Sequence, residues 1–119
     1  MTNEAGTLVE RLRGGLRVAM KQRDRMAVGV LRTALAAVEN AGAVDSAAVV
    51  VGSSAIEATP VGAGATEVAR RELTAAQVVE IVRGEQSERE AAAAALEQVG
   101  QLERAELLRA EARLLGEYL

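Results

Sequence analysis

The chain has no cysteine and no histidine, no tryptophan and no phenylalanine, one tyrosine (Tyr118) and one proline (Pro60). Without cysteine there can be no disulfide and no thiolate nucleophile. Without histidine the commonest general base and metal ligand is missing. The near absence of aromatic rings removes the usual platform for stacking bases and leaves a core of small aliphatic side chains. Half of the 119 residues are apolar, mainly Ala, Val and Leu. Such residues suit closely packed helices, whereas a sheet sandwich draws on β-branched and aromatic residues. The length fits one domain with a modest core. No apolar run approaches membrane-spanning length, and the start Met1-Thr2-Asn3-Glu4 lacks the basic and apolar regions of a signal peptide. The expectation is a soluble, cytoplasmic protein.

Net charge is −3, but the two halves differ in sign. Residues 1–40 carry seven basic and four acidic side chains, whereas residues 74–119 carry five Arg and nine Glu. The halves should attract each other, and the acidic balance argues against broad, non-specific nucleic-acid binding. A local basic face on the first half stays open.

The most helix-like stretch is Arg23 to Asn40. At 100° per residue, Met26, Ala27, Val28, Val30, Leu31, Ala34, Leu35, Ala37 and Val38 cover more than half of its circumference, so it needs neighbours on two sides. Its polar edge is Arg25, Arg32 and Glu39, with Asn40 alongside. The spacing predicts helices over about 7–22, 25–40, 75–99 and 102–118. Thr7 with Glu10, and Thr74 with Gln77, read as capping boxes. Asp24 reads as the N-cap of the second helix and Gly100 as the residue ending the third. In the first helix Leu8, Leu12, Leu16 and Met20 form a stripe beside Gly15 and Ala19; the Gly14-Gly15 pair weakens it by roughly 1 kcal/mol per glycine relative to Ala unless another backbone approaches closely there.

Residues 41–69 change to Gly, Ala, Val, Ser and Thr around Pro60. The run Ala47 to Val51 has strand-like content but no partner strand, and the segment reads as a flexible, disordered linker. The expected fold is therefore all-α: two αα-hairpins packed as a small four-helix domain, joined by a long linker. In the linker Gly62-Ala63-Gly64 lacks the third Gly or the Gly-Lys-Ser/Thr of a phosphate loop, so nucleotide binding there is rejected. The run Ala91 to Ala95 reads as a close-packing helix surface.

Two constellations stand out. Arg13, Arg17 and Lys21 follow at four-residue spacing and, with Arg25, form a candidate basic face able to meet phosphates or an acidic partner helix; a solvated face is the plain alternative. Glu85, Arg89 and Glu111 fall in apolar arcs, where a charge is costly unless paired. They are expected to neutralise one another as a structural polar cluster, with Arg32 as a further partner. Glu85 and Glu111 have no nucleophile, metal ligand or phosphate-binding loop nearby to make them a catalytic pair. No catalytic residue, metal ligand or cofactor is assigned.

The segments RDRMAVGVLRTALAAVENA, RELTAAQVVEIVRGEQSEREAAAAALEQVG and AELLRAEARLLGEYL resemble the N-terminal helical region of the GatB/YqeY family. The matching parts are Arg23-Asp24-Arg25, Arg32 with Asn40, Glu72-Leu73-Thr74, Glu85 with Arg89, Gly100, and Glu117-Tyr118-Leu119. The resemblance covers most of the chain except 41–69, where relatives usually have a short connection, and does not include the tail domain that usually follows. It implies a helical, non-catalytic module related to a region of the tRNA-dependent amidotransferase B subunit, a carbon–nitrogen ligase with glutamine as amido donor. Its phosphorylating and amidase centres lie in other domains and subunits. The implied role is an accessory in tRNA-dependent amidation (glutaminyl- or asparaginyl-tRNA formation) or tRNA metabolism, with tRNA or an aminoacyl-tRNA-processing protein as partner. A protein-interaction or oligomerisation module unrelated to tRNA is the alternative.

Overall fold

The computed structural model describes residues 4–51 and 72–119, with side chains described over 6–43 and 72–119. These residues form four helices: α1 (Glu4–Gln22), α2 (Arg25–Val51), α3 (Ala75–Gln98) and α4 (Leu102–Gly116). The protein is all-α.

Two connections are short and share one mechanism. At the end of α1, Asp24 N–H donates to the Ala19 carbonyl at 2.9 Å and Arg23 N–H to the Met20 carbonyl at 3.2 Å. At the end of α3, Gln101 N–H donates to Leu96 at 2.9 Å and Gly100 N–H to Glu97 at 3.1 Å. Both are Schellman closures, which satisfy carbonyls left over at a helix end and require a left-handed residue at the turn. Gly100 supplies it with φ 79°, as the sequence predicts; at the first turn Arg23 supplies it with φ 57°. Asp24 then caps α2, its Oδ1 accepting from Ala27 N–H at 3.1 Å. Thr74 caps α3 in a complete capping box, with Gln77 N–H to Thr74 Oγ1 at 3.1 Å and Thr74 N–H to Gln77 Oε1 at 2.8 Å.

The wide apolar arc of α2 is covered as its width demands. This helix packs against α1, α3 and α4. Ala27, Val30, Leu31, Ala34 and Val38 are buried, and Met26, Val28, Leu35 and Ala37 are half-buried. Leu8 and Leu12 from α1, Val78 and Val82 from α3, and Leu115 from α4 complete the main core. Each fully buried Leu or Val contributes about 1.5–3 kcal/mol by leaving water. Between α3 and α4 the seam is built on alanines: Ala93, Ala105 and Ala112 are buried, which lets the two backbones approach closely.

Several boundaries and faces differ from the sequence reading. The first helix begins at Glu4, so Thr7 lies inside it and is not its N-cap. The second helix runs to Val51; residues 41–51, including the run Ala47 to Val51, are helical and not linker. Once a helix is nucleated each further residue adds a hydrogen bond at little cost, and no proline interrupts before Pro60. The rest of the expected linker, with Gly62-Ala63-Gly64, lies outside the described residues. The fourth helix ends at Gly116 and a turn carries Glu117 and Tyr118, a difference of the size at which helix ends fray. Met20, expected in the core stripe of α1, is 49% exposed because Ala19 takes the buried position. In α3 Ala93 is buried while Ala91, Ala92, Ala94, Ala95 and Val99 are exposed, so the poly-Ala run packs through one residue.

Candidate functional site

The α1–α2 connection concentrates positive charge. Residues 17–32 contain five cations, Arg17, Lys21, Arg23, Arg25 and Arg32, and one carboxylate, Asp24. That carboxylate accepts from the Ala27 N–H, which fixes it against the start of α2. All five cations are exposed, and none of them forms an ion pair among the described residues. Arg23 and Arg25 flank the capping aspartate, and Arg32 lies two turns further along the same edge of α2, with Gly29 one turn from Arg25. Arg23, Arg25 and Arg32 line a shallow depression together with Met20, Val28 and Gly29.

Of the candidate basic face, Arg17, Lys21 and Arg25 are exposed and without an ion partner among the described residues. Arg13 differs, since its Nη2 lies 4.0 Å from Glu39 Oε2, with both side chains about half exposed. A pair of this kind is worth little, but it places a carboxylate beside that end of the stripe. Arg23, part of the Arg23-Asp24-Arg25 motif, was not placed in the candidate basic face by the sequence. The signal for its conformation is its place before the Asp24 cap, where a Schellman closure needs a left-handed residue and glycine is the usual choice.

Glu85, Arg89 and Glu111 do come together across the α3–α4 seam. Arg89 Nη1 donates to Glu85 Oε1 at 2.9 Å and to the Glu85 carbonyl at 3.0 Å, and its Nε donates to Glu111 Oε1 at 3.1 Å. The three side chains are only 13–20% exposed. One arginine thus joins one turn of α3 to α4 through three charge-assisted bonds. Nearby, Gln86 Nε2 donates to the Ala112 carbonyl at 3.1 Å. Towards the α3–α4 turn, Arg109 pairs with Glu97. Arg32 is not part of this cluster. It lies on the polar edge of α2 shared with Arg25, which opens onto the α1–α2 connection rather than the α3–α4 seam, and it is exposed there.

At the opposite side of α1, Arg11 Nη1 donates to the Tyr118 carbonyl at 3.1 Å, and its guanidinium sits 5.6 Å from the centroid of the Tyr118 ring. This ties the chain after α4 back to the first helix.

The described residues contain no group of three or more metal-ligating side chains that could hold a metal ion, and no described helix is long and apolar enough to cross a membrane. What the site can do chemically is bind anionic groups: guanidinium forks offer paired donors matched to phosphate or carboxylate oxygens. In comparisons with known proteins, no family model, no curated protein and no solved structure matches the chain.

Proposed function

We propose that this chain is a non-catalytic helical module of the GatB/YqeY type that binds tRNA, or a protein that processes aminoacyl-tRNA, in the cytoplasm. The observation that carries the reading is the run of exposed cations Arg17, Lys21, Arg23, Arg25 and Arg32 around one helix connection, none of them in an ion pair among the described residues. Charge of one sign on one face attracts the phosphate backbone even when the chain as a whole is acidic. The acidic second half, packed beneath, restricts such binding to that face and works against coating of any polyanion. The residue pattern from Arg23 to Asn40 and from Glu72 to Leu119 adds the family resemblance.

The test is tRNA binding at rising salt. For about five phosphate contacts, affinity should fall by roughly two orders of magnitude between 50 and 200 mM salt. Changing Arg13, Arg17 and Lys21 to Glu should weaken binding strongly at the lower salt. Absence of binding there, or binding indifferent to these changes, overturns the RNA reading.

A second reading rests on a different observation. Val99 and Leu102, beside the α3–α4 turn, are 70% and 64% exposed, and the alanines at 91, 92, 94 and 95 are uncovered. These favour a protein-interaction or oligomerisation surface. A strictly monomeric mass in solution, with no protein captured on that face, would count against it.

A further inference from the structure

The depression lined by Met20, Arg23, Arg25, Val28, Gly29 and Arg32 brings together three features that each work against the stability of a free helical hairpin. First, Arg23 holds φ 57°, a conformation that costs an L-residue about 1–2 kcal/mol and that Gly100 meets at the equivalent turn without a Cβ. Second, Gly29 sits inside α2, where it costs roughly 1 kcal/mol relative to Ala, and a Cβ there would meet nothing within 4 Å. Among the described residues no packing contact requires glycine at that point. Third, three arginines line one small depression with no carboxylate paired to any of them among the described residues. Gly84 in α3 is equally uncovered, so an open glycine alone decides nothing; at Gly29 it coincides with a strained arginine and a cluster of like charge. Strain and unpaired charge retained at one place point to a ligand made there.

The chemistry selects the ligand. One carboxylate has two oxygens and one charge, and it would leave most of three guanidinium forks unused. A terminal phosphate carries about −1.5 to −2 charges near neutral pH and three acceptor oxygens, which match three arginines. Met20 and Val28 give the lining an aliphatic part, suited to the organic group attached to that phosphate, and the missing side chain at Gly29 permits close approach to the α2 backbone.

We propose that this depression is a binding site for a nucleoside 5′-phosphate, with Arg23, Arg25 and Arg32 holding the phosphate and Met20, Val28 and Gly29 receiving the nucleoside. The group arrives either as a free mononucleotide or as the 5′-phosphorylated end of an RNA; the second source rests on the RNA reading given above. The site is separate from the Arg13, Arg17 and Lys21 stripe, which meets internal phosphates.

The experiment compares the full chain's affinity for one labelled RNA oligonucleotide carrying either a 5′-phosphate or a 5′-hydroxyl, with AMP and adenosine as competitors and AMP also titrated alone. The expected result is at least tenfold tighter binding of the phosphorylated end. Arg23→Gly keeps the left-handed turn and removes one guanidinium; Gly29→Leu keeps the helix and fills the depression. Both should abolish the tenfold preference and leave the melting temperature unchanged or higher; Gly29→Leu, which removes no cation, should also leave the affinity for the 5′-hydroxyl oligonucleotide unchanged. Competition by AMP and not by adenosine identifies the free nucleotide as sufficient, whereas preference for the phosphorylated end without AMP competition identifies the RNA end. If AMP alone binds, is lost in both variants, and neither oligonucleotide binds, the site stands and the RNA reading falls. Equal affinity for the two oligonucleotides with no AMP binding overturns the site and leaves the RNA reading intact. No binding of any probe overturns both.

Discussion

Tyr118 occupies the space that a side chain at Gly15 would need. A Cβ built on Gly15 would overlap the Tyr118 hydroxyl and lie 2.9 Å from Cζ of its ring, and would come within 3.4 Å of Leu31 Cδ1. A glycine inside α1 is thereby explained by the one aromatic side chain of the molecule, which packs on the core from the turn after α4. The close approach expected at the Gly14-Gly15 pair exists at Gly15, but a side chain makes it and not a backbone.

Gly15→Ala should therefore destabilise the protein by about 1–3 kcal/mol, the range for overpacking, despite the gain in helix propensity of roughly 1 kcal/mol. In a Tyr118→Ala background the same change should be neutral or stabilising. Chemical denaturation of the two single variants and the double variant gives the coupling directly. Simple additivity would show that the ring moves aside freely.

Among the described residues Arg89 is the sole cation paired with the two carboxylates at the α3–α4 seam. Replacing it with Ala leaves Glu85 and Glu111, which are 17% and 20% exposed, without a counter-charge. The expected loss is about 3 kcal/mol, at the lower end of the range for breaking a buried pair, because these carboxylates keep some contact with water. Urea unfolding measures it. A loss within about 0.5 kcal/mol, the scatter of ordinary surface changes, would show that the carboxylates rearrange into solvent.

How far the sequence discloses this fold can be judged at these same residues. The Glu85–Arg89–Glu111 contact was legible because charges in an apolar arc must find partners, and helical spacing puts Glu85 and Arg89 one turn apart. Membership of Arg32 was not, because periodicity assigns a residue to an edge and does not say which neighbour the edge faces. The two-sided cover of α2 followed from the width of its apolar arc. The length of α2 did not: alanine, valine and serine after Asn40 carry no stop signal, and composition alone suggested a linker. Arg17, Lys21 and Arg25 could be named from their spacing. The depression that Arg25 lines with Arg23 and Arg32 depends on Met20 turning outward, which a four-residue stripe through Leu16 conceals, and on a left-handed Arg23, which only the hydrogen bonds of the turn reveal.

Arg23 also makes a prediction about stability alone. Substitution by Gly relieves the left-handed strain of about 1–2 kcal/mol and adds a backbone-entropy cost of roughly 0.5–1 kcal/mol. The net expectation is a stabilisation of about 0.5–1 kcal/mol, read as a rise of a few degrees in Tm. The substitution Arg23→Val should act in the opposite direction, since a β-branched residue is poorly tolerated at positive φ. If both variants melted together, the turn would not depend on the left-handed conformation.

The start of α3 offers a test that is independent of charge clusters. Thr74 Oγ1 accepts from Gln77 N–H while Gln77 Oε1 accepts from Thr74 N–H, so two backbone donors depend on two side chains. Val78 and Val82, in the next turns, are among the fully buried residues, which means that fraying of this end would expose core. Thr74→Ala should cost about 1 kcal/mol, and Gln77→Ala less, since the Thr74 N–H can turn to water. Amide hydrogen exchange separates a local from a global effect. Faster exchange confined to the first turn of α3 shows the cap acting locally, whereas uniform acceleration through α2 and α4 shows the start of α3 unfolding together with the core it covers. The burial of Val78 one turn past the cap favours the second outcome. Unchanged exchange in both variants would show that the reciprocal bonds contribute nothing beyond what solvent supplies.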